Sequence, residues 1–232
     1  MNDIDKLKPC TGYCQMIGAA TALLSVKNSY IIFNSPRWCA LTAERELSCI
    51  CKEYEKRLFC TEAREADVLY GVEGSLKETI DELLKEEQNP TLINVITSCS
   101  MSLIGDDIKG VCKGKVPNAN ILALDAGGFT GTFDSGYQIG MLSLLKSAQL
   151  EKQRPKARKV NLLGICTAYP NWEGDLKELK RVLNLAGFEI VIALGAEGLS
   201  LEELKDISSA ALNIVLVPEI SLEIAKYLYE QL

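Results

Sequence analysis

Short β-branched and aliphatic runs alternate with segments of helical periodicity along nearly the whole chain. That alternation predicts an α/β fold in which mainly parallel sheets are covered by helices. In the first half, strands are expected at Tyr30–Phe33, Val68–Val72, Leu92–Thr97 and Asn120–Asp125, with helices after Cys14, Ser75, Ser102 and Ser135. Ser75-Leu76-Lys77-Glu78 reads as a capping box, in which the serine and glutamate satisfy each other's free N–H groups. In the second half, Val160–Ile165, Glu189–Leu194 and Leu212–Val217 read as strands. Asp175–Ala186 is an amphipathic helix with Leu176, Leu179, Val182 and Leu183 on one side and Gly187 as its stop. A further helix opens at the capping box Ser200-Leu201-Glu202-Glu203, and a last one covers Ser221–Leu232.

Between the halves, Lys152, Arg154, Lys156, Arg158 and Lys159 crowd around Pro155 without apolar periodicity. This reads as a solvated linker rather than a docking patch, and it divides the chain into residues 1–155 and 156–232. At 232 residues the chain can bury a substantial core as one large or two small domains.

A net charge of −6 argues against a nucleic-acid groove or an anionic membrane as the main partner. No apolar run approaches the roughly 20 residues that span a bilayer. The segment Met1–Lys8 has no apolar stretch of a secretory signal, so a cytoplasmic, reducing location is expected. Nine cysteines, an odd count in such a compartment, are then not a disulfide framework. Histidine is absent, which removes Ser-His-Asp and Cys-His catalysis and every His-ligated metal. A metal held by this chain would take thiolates and carboxylates.

Cys49, Cys51, Cys112 and Cys166 read as small buried hydrophobes, while Cys10 and Cys60 are open to either reading. Cys14, Cys39 and Cys99 stand apart by their surroundings. Gly18, Ala19 and Ala20 allow close helix approach behind Cys14, Pro36 fixes the turn before Cys39, and Ser100 or Ser102 can cap the helix after Cys99. Thiolates are favoured where a strand or loop hands over to a helix, and converging thiolates suit soft-metal and iron–sulfur chemistry. Spacings of 25 and 60 residues match no short ligand motif. Gly127-Gly128-Phe129-Thr130-Gly131 is no dinucleotide fingerprint, and no Walker A sequence is present. Asp106 and Asp107 read as helix-start residues, with a supporting role near a metal site as the alternative.

The segments around Cys14, Cys39 and Cys99, in that order, resemble the component 1 family of nitrogenase. That family includes the cofactor-assembly scaffold proteins and the dark-operative protochlorophyllide reductase subunits. The resemblance continues through Glu65-Ala66-Asp67-Val68-Leu69-Tyr70-Gly71, Ile104-Gly105-Asp106-Asp107-Ile108 and Gly128-Phe129-Thr130-Gly131 with Gly136-Tyr137, and more weakly through Asn161-Leu162-Leu163-Gly164. It implies two Rossmann-like domains, with an iron–sulfur cluster (4Fe-4S or larger) shared by three cysteines from each of two related subunits. Carried over, those ligands are Cys14, Cys39 and Cys99. The implied partners are a second chain, as homodimer or heterodimer, and a nitrogenase-reductase-like ATPase that donates electrons.

Two departures bear on function. Asn34 and Ser35 stand where many members carry a His-Gly pair. Val217 stands where nitrogenase has the cysteine that anchors its catalytic cofactor. The chain also stops near the point where the family's third domain would begin. The expected function is that of a nitrogenase-like oxidoreductase subunit relaying electrons to a bound substrate. Alternatives are a scaffold for metallocofactor assembly and a cluster-free relative.

Overall fold

The structure, a computed structural model, describes residues 13–50, 53, 56–87, 90–112 and 120–232. Cys10 and Cys51 lie outside the described residues. In chain order the first half holds α1 (Gln15–Leu24), β1 (Ser29–Asn34), α2 (Arg37–Leu47), β2 (Leu58–Cys60), α3 (Glu65–Tyr70) and α4 (Glu73–Glu86). It continues with β3 (Leu92–Thr97), α5 (Cys99–Ile104), α6 (Ile108–Cys112), β4 (Asn120–Asp125) and α7 (Phe133–Ser147). The second half holds β5 (Lys156–Leu163), α8 (Trp172–Leu185), β6 (Glu189–Leu194), α9 (Leu201–Leu204), β7 (Ala210–Val215) and α10 (Pro218–Gln231), with a 3₁₀ turn over Lys205–Ser209.

The strands form two wholly parallel sheets, ordered β2-β1-β3-β4 and β6-β5-β7. β1 and β3 are buried along their whole length, as the unbroken apolar runs predict for strands covered on both faces. One continuous apolar core joins the sheets. It takes Phe33, Ile96 and Leu124 from the first, Leu163 and Leu194 from the second, and the facing sides of α1, α7 and α10. Every residue of α1 is buried. That helix lies so close to α7 that a methyl group on Gly18 would sit 2.0 Å from the Phe133 carbonyl oxygen. A methyl on Gly136 would sit 1.9 Å from the Gln15 oxygen. No residue but glycine fits at either crossing point.

Several sequence expectations are corrected here. Val68–Val72 is not a strand: α3 occupies Glu65–Tyr70, started by the Asp67 carboxylate accepting the Arg64 N–H at 2.7 Å. Its apolar residues Val68, Leu69 and Tyr70 face outward at 56, 75 and 87% exposure, and the edge strand is β2 instead. Ser75 does not cap a helix. α4 begins earlier, at Glu73, and the Ser75 hydroxyl donates to Asp67 across the α3–α4 turn. The basic cluster is only partly a linker, because β5 starts at Lys156 rather than Val160. A register shift and the positive φ of Arg158 let its first residues twist outward, and Lys159 pairs with Glu189 at 2.7 Å. On α8, Leu176 is buried and Leu179 and Leu183 pack beside it, but Val182 is 48% exposed. The Ser200–Glu203 capping box forms as read, at 3.1 Å and 2.8 Å, and opens a helix of a single turn. Among the described residues, no helix is long and apolar enough to cross a membrane.

Candidate metal centre

Three of the cysteines singled out in the sequence start helices that converge at the carboxyl ends of β1 and β3. Cys14 is the residue that caps α1, Cys39 lies in the first turn of α2, and Cys99 is the first residue of α5. Their connections are short. β1 reaches α2 through Ser35 and Pro36, with the extended ψ of Pro36 turning the chain. β3 reaches α5 through Ser98 alone, whose N–H bonds back to the Asn34 carbonyl at 3.0 Å. The two cysteine-bearing turns are therefore clamped together at the tops of adjacent strands. Asn34 and Ser35 are both buried. The Asn34 amide reaches the Thr97 hydroxyl at 3.5 Å, and the Ser35 N–H donates to the Thr61 hydroxyl at 3.2 Å.

The three thiols line one apolar cavity of about 230 Å³, completed by Met16, Trp38, Ala126 and Gly128. No charged side chain lines it. The loop after β4 closes one side. Gly128 donates its N–H to the Cys99 sulfur at 2.8 Å, and a methyl at Gly128 would lie 3.3 Å from the Cys14 Cβ and 3.5 Å from the Cys99 sulfur. Gln15 fixes that loop: it accepts from the Thr130 hydroxyl at 2.8 Å and donates to the Ser135 hydroxyl at 3.2 Å. Sequence reasoning missed Gln15 as a site residue. The available signal was a polar side chain directly after Cys14 at the head of an otherwise apolar helix.

Burial pushes the Cys39 thiol above the ordinary range, and the neighbouring charges of Cys99, Cys14 and Cys60 push it further. The thiolate is the nucleophile, so raised proton affinity lowers its share at neutral pH. Iodoacetamide labelling of metal-free Cys39, followed by peptide mass mapping, is expected to rise with pH along a curve displaced above the ordinary thiol range. A curve at the ordinary value would mean that water fills the cavity.

The remaining sequence candidates separate cleanly. Cys112 and Cys166 are buried, and burial raises their thiols to about 11 and about 12, in keeping with packing residues. Cys49, read as a packing residue, is instead exposed. Ser100 and Ser102 cap nothing, because α5 has already begun at Cys99; the Ser102 hydroxyl bonds to the Ser98 carbonyl and to Asp125. Asp107 accepts the Gly110 N–H at 2.9 Å as a helix-start residue does, and Asp106 accepts the Val72 N–H at 2.8 Å.

Among the described residues, no three His, Cys, Asp or Glu side chains come together closely enough to hold a single metal ion. The donor set still suits a polynuclear cluster. It offers soft sulfur donors around a cavity lined by no charged side chain, and a glycine leaves room where a side chain would intrude. Trp38, in the cavity lining, is 81% exposed, and Phe129, next to Gly128 in the chain, is 75% exposed.

Comparison with known proteins places this architecture. The chain is 28% identical over 206 residues to the nitrogenase iron-molybdenum cofactor biosynthesis protein NifE of Clostridium pasteurianum, covering 87% of this chain and 44% of that protein. It is 31% identical over 161 residues to the nitrogenase molybdenum-iron protein alpha chain of Methanosarcina barkeri, covering 67% and 29%. The solved structure described as nitrogenase Cp1 at pH 6.5 superposes with a TM-score of 0.75 at 23% identity, over 95% of this chain and 44% of that one. The chain thus spans less than half the length of these relatives. The model of the nitrogenase component 1 type oxidoreductases matches residues 14–232, and the chain belongs to that family.

Proposed function

We propose that this chain is a nitrogenase-like oxidoreductase subunit that carries an iron–sulfur cluster where it meets a related second chain, with residues 1–155 as the cluster-bearing unit and 156–232 as a second unit. The observation that carries the reading is the convergence of Cys14, Cys39 and Cys99 on one uncharged cavity, with the exposed Trp38 in its lining. An iron–sulfur cluster supplies one-electron exchange when bound. The chain's own residues do the rest. Cys14, Cys39 and Cys99 bind through sulfur, each thiol releasing its proton as it does so. The Gly128 N–H withdraws electron density from the Cys99 sulfur, which favours the reduced state. Met16 and Ala126 exclude water, and Trp38 and Phe129 present the apolar surface that the partner covers. Electrons come from a separate ATP-dependent reductase, since no nucleotide-binding sequence is present here.

A scaffold that holds a metallocofactor during assembly is the second reading, favoured at the far end of the second sheet. Val217, which precedes α10, offers no donor there. Asp134 at the start of α7 has its carboxyl raised by burial and by the charge of Glu219 at the start of α10. The acidic groups there, with the nearby Cys166 thiol buried and pushed up to about 12, do not fit an anchored anionic metallocofactor, so no chemistry is assigned to one in this chain.

Anaerobic purification of the chain with its co-expressed partner, followed by iron and sulfide analysis and low-temperature EPR after dithionite reduction, tests the proposal. Cluster iron with a reducible signal is expected. An iron-free protein that stays folded and resists reconstitution overturns it. Sustained ATP-dependent substrate reduction would exclude the scaffold reading.

A further inference from the structure

We propose that the Ser98 hydroxyl donates a hydrogen bond into the thiol cavity and thereby sets the potential at which the bound cluster is reduced. This rests on the cluster reading above. Besides the thiols, three side chains lining the cavity carry a polar hydrogen: Trp38, Thr42 and Ser98. Trp38 is largely exposed, and the Thr42 hydroxyl is spent on the Trp38 carbonyl at 3.0 Å. Ser98 is only 2% exposed. Among the described residues its hydroxyl has one contact, the Ser100 hydroxyl at 3.4 Å.

That hydroxyl is free for a local reason. Ser98 precedes α5 with the extended backbone of a helix cap, where a serine oxygen ordinarily accepts an N–H of the first turn. No such bond forms here. The backbone is held instead. Its N–H bonds to the Asn34 carbonyl at 3.0 Å, and its carbonyl accepts from both the N–H and the hydroxyl of Ser102 at 2.9 Å. Ser98 is therefore fixed beside Cys99 at the carboxyl end of β3 while its hydroxyl proton stays uncommitted.

A buried donor without a good acceptor costs stability, and anionic sulfur in the cavity supplies one. The bond strengthens as the acceptor gains negative charge, so it favours the reduced state. Hydrogen bonds to the sulfurs are among the factors that set iron–sulfur potentials. The Gly128 N–H acts in the same direction on Cys99 from the loop after β4, and Ser98 adds a second donor from the end of β3. No covalent bond changes and no proton is transferred.

The full chain with its co-expressed partner is loaded anaerobically, and the EPR-detected reduction midpoint is titrated in wild type, Ser98→Ala, Ser98→Gly, Ser98→Thr and Thr42→Val. The alanine and glycine variants are expected to keep their iron and sulfide. At fixed potential they should hold about tenfold less reduced cluster, a shift of about 59 mV to more negative potential for one electron. Ser98→Thr keeps the hydroxyl and should return the midpoint to wild type. Thr42→Val removes a hydroxyl already spent and should leave it unchanged. A Ser98→Ala midpoint equal to wild type, or an equal shift in Thr42→Val, overturns the proposal and leaves the cluster standing. Iron lost from Ser98→Ala but kept in Ser98→Thr would make the oxygen a ligand, which also overturns it. An iron-free wild type refutes the cluster reading itself, and this role with it. Circular dichroism at each step confirms that the variants are folded.

Discussion

Gly136→Ala is expected to destabilise the folded chain by about 3 kcal/mol, the upper end of the overpacking range. The added methyl would lie 1.9 Å from the Gln15 carbonyl oxygen and 2.9 Å from the Gln15 Cα, so it meets backbone rather than a side chain that can rotate away. Relief requires α1 and α7 to separate, and that contact lies at the centre of the core joining both sheets. Gly74→Ala is the matched control. It sits near the start of α4 with nothing within 4 Å of the added methyl, and alanine there should stabilise by up to about 1 kcal/mol. Urea unfolding of the two variants side by side checks both, read as midpoint shifts at constant slope. A Gly136→Ala midpoint equal to wild type would mean that the helices cross more loosely than described.

Cys99→Ser is expected to strip nearly all cluster iron from the protein while leaving its folding almost untouched. The loss is near-complete because Cys99 opens α5, receives the Gly128 N–H at 2.8 Å and shares the cavity with Cys14 and Cys39. A hard serine oxygen is a poor substitute for a soft thiolate. Stability should change by less than about 0.5 kcal/mol, as for sites outside the packed core. Iron and sulfide assays beside urea midpoints separate the two effects. Iron content at the wild-type level in this variant would remove Cys99 from the ligand set.

The same residues show which features could be read in advance. β1, β3 and β4 follow from their apolar runs, and the Ser200–Glu203 box from two side chains at the right spacing. Local chemistry is sufficient in these cases. Val68–Val72 misled because its apolar run imitates a buried strand; the Arg64–Asp67 contact starts a helix there and sends Val68, Leu69 and Tyr70 outward. Ser75 misled for a related reason, since its hydroxyl had a competing acceptor in Asp67. The strand at Lys156 was hidden because its first residues are basic and twisted out of register. Cys60 was open to either reading: its packing against the core arises only when β2 pairs with β1.

By itself the sequence determined the parallel α/β architecture and the lack of histidine, and it marked Cys14, Cys39 and Cys99 by their surroundings without joining them in one place. These rest on residue type, periodicity and short-range neighbours. Only the tertiary structure decided that the three thiols share a single cavity without charged side chains, and that Gly128, on a loop held by Gln15, closes one side of it. Those facts depend on strand order and helix approach, which bring together residues far apart in the chain and which no local pattern encodes.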